Sequence, residues 1–142
     1  MGVAARLAMP TMVSEAERLA ALRDHLESAV LAAIPGTAIN GARGQRVPNT
    51  TNISFDRTEA ESLLIALDLA GIAVSTGSAC SSGTLEPSHV LKAMGLPPHR
   101  TQNSIRFSLG HATTAADIER VVAVLPGIVD KLRSLTRVPV RA

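Results

Sequence analysis

Apolar and polar positions alternate with period two over residues 103–109. Ile105, Phe107 and Leu109 fall on one side and Ser104, Arg106 and Ser108 on the other, the pattern of a strand that buries one face. Upstream, Leu19, Leu22, Leu26 and Val30 recur at helical spacing. Ser14-Glu15-Ala16-Glu17 before them reads as a capping box, and Pro35-Gly36 ends the run. Residues 37–40 and 52–55 read as short strands, separated by a polar loop over 41–49. Thr58-Glu59-Ala60-Glu61 repeats the capping pattern ahead of Leu63, Leu64 and Leu67, and Gly71 closes that helix. Residues 72–74 then read as a buried strand, and 75–83 as a Ser/Gly-rich loop. A helix is expected from Glu86-Pro87 to Gly95, with Pro97-Pro98 preventing its continuation. Thr114 and Asp117 should cap a last helix whose apolar stripe includes Ile118, Val121, Leu125 and Val129. Pro126 lies within that stripe and is expected to kink or split it, and the tail after Leu135 to fray.

The sum is an α/β (α+β) domain: a short-stranded sheet covered by helices. The 142 residues suit one domain with a real core. Phe55 and Phe107 are the only aromatic side chains, so the core must be built from Leu, Ile, Val and Ala. A net charge of +2, with no long basic run and no aromatic platform, gives nucleic-acid binding little support. No apolar run approaches the roughly 20 residues that span a bilayer. The first thirteen residues, mildly apolar with one Arg before Pro10, lack the cleavage site of a signal peptide. A single cysteine cannot form an internal disulfide, which fits a reducing, cytoplasmic compartment.

Two residues stand out chemically. Cys80 is the only thiol, set in the small-residue loop Ser75-Thr76-Gly77-Ser78-Ala79-Cys80-Ser81-Ser82-Gly83. Nothing bulky in that stretch shields the sulfur, which suits a reactive thiol. A lone cysteine is also a common small core filler, and local context leaves both readings open. Arg106 lies on the polar face of its strand, where it is either a solvated charge or a fork for a carboxylate. His25, His89, His99 and His111 are scattered, so zinc ligation is not expected. Glu86 reads as a helix cap, and no glycine pattern points to a nucleotide.

Three motifs in order carry a resemblance: Val74 through Gly83, then Leu85-Glu86-Pro87-Ser88-His89-Val90-Leu91, then Ser104-Ile105-Arg106-Phe107-Ser108-Leu109-Gly110. Pro48-Asn49-Thr50-Thr51-Asn52-Ile53-Ser54-Phe55 and the helix before it also fit. The chain resembles the C-terminal part of the NifS/IscS-like (group I) cysteine desulfurases, of the class V aminotransferase family. That resemblance implies the small domain of a fold type I enzyme dependent on pyridoxal phosphate. Residues 14–142 would form it, with 1–13 a segment continuing into the first helix. The family converts L-cysteine to L-alanine and holds the sulfur as a persulfide. By resemblance, Cys80 is the sulfur-accepting nucleophile and Arg106 binds the substrate carboxylate. A sulfur-acceptor scaffold protein for iron–sulfur cluster assembly and a homo-oligomeric state are implied as well.

The chain departs from the family in one large respect. The family holds its cofactor through a lysine in a Ser-His-Lys stretch, whereas this sequence has only Lys92 and Lys131, neither in that context. The large cofactor-binding domain has no counterpart in these residues. The chain alone is therefore expected neither to hold pyridoxal phosphate nor to release sulfide. The alternative is a stand-alone persulfide carrier or interaction module without catalysis. Intact Cys80 and Arg106 together favour the desulfurase reading, since a carrier has no use for a carboxylate clamp.

Overall fold

A computed structural model describes residues 2–76 and 88–136. The period-two segment forms strand β4 of a four-stranded antiparallel sheet. In chain order the strands are β1 (Thr37–Ile39), β2 (Thr50–Phe55), β3 (Ser75–Thr76) and β4 (Ser104–Ser108). Their spatial order is β1-β2-β4-β3. The register sets Ile53 opposite Ile105 and Asn52 opposite Arg106. It therefore sorts the sheet into an apolar and a polar face.

The apolar face meets three helices: α2 (Met12–Ala33), α3 (Ala60–Leu69) and α6 (Ala115–Thr136). Ile53, Phe55, Ile105 and Phe107 pack with Leu26 and Val30 of α2, Leu63 and Leu67 of α3, and Leu125 and Val129 of α6 in one core. Ahead of α2 lie α1 (Gly2–Ala8) and a 3-10 turn at Met9–Thr11. Two short helices, α4 (His89–Ala93) and α5 (Pro98–Gln102), precede β4. Among the described residues, no helix is long and apolar enough to cross a membrane.

Several local expectations give way to the surrounding chain. Ser14 does not cap a helix, because the backbone before it is already helical. Its hydroxyl turns back to donate to the carbonyl of Thr11, and α2 starts at Met12. A capping side chain needs an extended residue at the boundary, and none exists there. At the second site, extended Glu59 (ψ 130°) is the cap residue, but its side chain accepts from the Ser62 hydroxyl instead. Thr58 is buried and its hydroxyl donates to Asp56 O. The box at Thr114 does form. Thr114 N donates to Asp117 Oδ2 at 2.8 Å and Asp117 N to Thr114 Oγ1 at 3.3 Å.

The strand expected at 72–74 is displaced to Ser75–Thr76, where β4 offers antiparallel partners. Ile72 still packs in the core. Ser88 caps α4, its Oγ accepting from Leu91 N, while the Glu86-Pro87 start expected for this helix lies outside the described residues. Gly95, at φ +74°, ends that helix. Pro98 then opens α5, which the sequence pattern did not suggest. Pro126 does not split α6, which is one helix from Ala115 to Thr136. Leu125 and Val129, both buried on either side of the proline, hold the segment against the core.

Arginines of α2 tie down the loops around the sheet. Arg23 Nη1 donates to the carbonyls of Val47 and Pro48, each at 3.0 Å. Arg46 grips the buried Glu27 with two hydrogen bonds, at 2.6 and 2.9 Å. Arg18 donates to the carbonyls of Thr113 and His111 while paired with Glu15. These contacts fix the entry to β2 and the exit of β4, at one end of the polar face.

Candidate functional site

Arg106 sits in the middle of the polar face. It is exposed, directly opposite Asn52 on one side and Ser75 on the other. Directly opposed residues bring their Cβ atoms within about 5 Å, so Asn52 and Arg106 act at one place. Among the described residues, no carboxylate pairs with the Arg106 guanidinium.

Beside it runs a connected polar network. Arg100 of α5 donates from Nε to Ser54 Oγ at 3.2 Å, and from Nη2 to the Ile39 carbonyl at 3.3 Å and to Asn40 Oδ1. Asn40 Nδ2 donates to Asn52 Oδ1 at 2.7 Å and to Ser104 Oγ at 2.9 Å. The Ser104 hydroxyl donates to the Arg100 carbonyl. Asn40, Ser54 and Ser104 are buried. Burial of so many polar groups is tolerated because each finds a partner. The network holds the Arg100 guanidinium and no carboxylate, and the Arg106 guanidinium stands beside it across from Asn52. Donors without a carboxylate beside them are a set whose chemistry suits an anion.

Carboxylates lie elsewhere. The Arg18 hydrogen bond holds Glu15 at about 2, against an ordinary 4.5, with His111 adding to it. Burial pushes Glu27 up, but the Arg46 fork and the charge of Arg23 outweigh that and leave it lowered. The Thr114 amide hydrogen bond lowers Asp117. These groups steady the loops and do not face Arg106.

Cys80 and Glu86 lie outside the described residues. Of the histidines, His25 pairs with Glu119 and His111 with Glu15, while His89 and His99 begin or lie within short helices. Among the described residues, no group of three His, Cys, Asp or Glu side chains is arranged to hold a metal. A cavity of about 210 Å³ opens between Phe107, Leu109, Ile118 and Val121. It includes none of the polar network. Sequence reasoning found Arg106 but gave no role to Arg100, Asn40, Asn52 or Ser104. Only the alternation of Thr50, Asn52 and Ser54 in β2 hints that these residues share a face with Arg106.

A mixed domain with an antiparallel sheet, an exposed strand arginine and a lone cysteine upstream of it in the sequence defines a class that comparison makes plain. The Aminotransferase class-V family matches residues 1–121, and the chain belongs to that family. Within it, the chain is 50% identical over 136 residues to a cysteine desulfurase of Nostoc sp. (strain PCC 7120), covering 96% of this chain and 34% of the relative. It is 45% identical to the cysteine desulfurase NifS of Azotobacter vinelandii, with the same coverage of each. The X-ray structure of a NifS-like protein from Rickettsia africae ESF-5 superposes with a TM-score of 0.77 at 33% identity, over 91% of this chain and 33% of that one. The chain thus spans about a third of the length of the curated relatives it matches.

The family is one of pyridoxal phosphate enzymes. The residues described here do not fit that cofactor by themselves. Lys92 is exposed on α4 and Lys131 on α6, and neither joins the polar network. An amine must stand against the cofactor for Schiff-base chemistry.

Proposed function

We propose that this chain supplies the sulfur acceptor and the substrate-carboxylate clamp of a cysteine desulfurase. Residues 14–142 would be its small C-terminal domain, and pyridoxal phosphate would be held by residues outside this chain. Cys80 is the acceptor. Cys80–SH and L-cysteine give Cys80–S–SH and L-alanine, so the sulfur moves to the loop thiol and the freed carbon takes up hydrogen. Arg106 holds the L-cysteine carboxylate through two parallel hydrogen bonds. The carrying observation is the strand-borne Arg106, set among donors with no carboxylate partner among the described residues, on a chain half identical to cysteine desulfurases.

The persulfide would then pass to a sulfur-acceptor scaffold protein in the cytoplasm. Association with other copies or with the rest of the enzyme is supported by Val3, Leu7, Met9, Met12 and Val13. These residues are exposed together along the first helical turns.

The test is reconstitution. The chain is mixed with a separately made cofactor-binding part of a relative, and sulfide released from L-cysteine in the presence of a thiol is measured. Release is expected only with both parts present. Cys80→Ser should abolish it, and Arg106→Ala should raise KM by at least roughly tenfold, the cost of about one charged hydrogen bond. Sulfide release that survives Cys80→Ser would overturn the assignment. Persulfide handed on by the chain with no second part would favour the carrier reading.

A further inference from the structure

We infer that Asn52 is a second donor to the carboxylate held by Arg106, and that Arg100 is the positioning residue that turns the Asn52 amide the right way. This rests on the carboxylate reading of the Arg106 face.

The argument follows hydrogen-bond polarity. An asparagine amide can face either way unless its partners decide. A guanidinium donates and never accepts. Arg100 Nη2 therefore compels Asn40 to present Oδ1 to it. The Asn40 Nδ2 then points away, and both of its hydrogens are taken, by Asn52 Oδ1 and Ser104 Oγ. Ser104 in turn spends its own proton on the Arg100 carbonyl, so it accepts from Asn40. The ring from Arg100 through Asn40 and Ser104 back to Arg100 is closed. Reversing Asn40 would set N–H against N–H at Arg100 inside a buried network, which costs the desolvation of an unmatched donor.

One group is left open. With Oδ1 committed to Asn40, Asn52 presents Nδ2, which has no acceptor among the described residues. Asn52 stands directly across the strand pair from Arg106. The two side chains offer a guanidinium fork and an amide N–H₂ to the same space. A carboxylate has two oxygens with about four lone-pair sites and can take all of these donors at once. An amide presenting Oδ1 there would instead repel it. Arg100 keeps that from happening without touching the ligand.

Arg100 Nε also donates to Ser54 Oγ, and the Nη2 that meets Asn40 donates to the Ile39 carbonyl as well. The positioning group is thus anchored on β1 and β2 together. A lysine keeps the donor-only character of position 100, whereas a methionine keeps the bulk and loses the donors.

The test uses the intact 142-residue chain labelled with nitrogen-15 and titrated with acetate, then with L-alanine, by two-dimensional NMR. The Asn52 side-chain amide and the Arg106 Nε–H should shift together with one dissociation constant. Asn52→Ala should weaken acetate binding at Arg106 by about tenfold, and Asn52→Asp should abolish it by placing an anion beside the fork. Arg100→Met should uncouple the Asn52 response and weaken binding by about the same factor. Arg100→Lys, with a native-like backbone spectrum, should restore most of the response. No acetate response at either residue, a response at Arg106 alone, or equal affinity in the Arg100→Met chain would each overturn the inference. Failure of the desulfurase reading looks different. Acetate would still bind the pair, while Cys80 would gain no sulfur when the cofactor-binding part is supplied.

Discussion

The two faces of the sheet are built from the same strands and do opposite work. On β4, Ile105 and Phe107 are buried against helices, while Arg106 between them is exposed. On β2, Ile53 and Phe55 face the core and Asn52 and Ser54 face the network. The apolar face is stabilised by area and close packing, which tolerate substitutions that keep volume. The polar face depends on the direction of each hydrogen bond, so an isosteric change that swaps a donor for an acceptor is felt there. Stability and recognition thus separate along one backbone with a period of two residues.

Phe55→Ala should separate the faces most sharply. It opens a cavity in the core and should cost about 3–5 kcal/mol in urea unfolding. Acetate affinity of the molecules that remain folded should change little. Ser104→Ala comes next, at about 1–3 kcal/mol, because a buried Asn40 N–H loses its acceptor. Unlike the core change, it should also disturb the Asn52 amide. Equal effects of both variants on acetate binding would break the comparison.

The smallest effect lies away from both faces. Glu15 is lowered to about 2 in the folded chain from an ordinary 4.5. The unfolded chain takes up its proton first as pH falls. The Glu15 contribution is therefore fully present above about 4.5 and is lost progressively down to about 2. Thermal unfolding followed over that range should show an acid slope that Glu15→Gln flattens slightly.

The apolar face and Arg106 were legible because a half-buried strand writes its alternation into consecutive residues. The Thr114–Asp117 cap was legible for a related reason: both partners lie within one turn. The box at Ser14 misled because spacing says nothing of the backbone before the cap, and Met9–Thr11 is already helical, while the box at Thr58 misled by one residue, the helix taking Glu59 as its cap. Pro126 does not split its helix because packing on both sides outweighs one lost hydrogen bond. The network was hidden because Asn40, Asn52, Arg100 and Ser104 come from separate stretches. Asn40 and Ser104 are 64 residues apart, and only the order β1-β2-β4 brings them together. Cys80 was singled out by its loop composition and by resemblance, and it lies outside the described residues.

The most direct measurement is the mass of the Cys80 peptide. The chain is incubated with L-cysteine and the cofactor-binding part of a relative, alkylated, digested and weighed. One added sulfur on the peptide carrying Cys80, matched by L-alanine and absent when L-cysteine is omitted, is the expected result. L-Alanine and sulfide formed with the Cys80 peptide never heavier, even in brief incubations, would contradict the account.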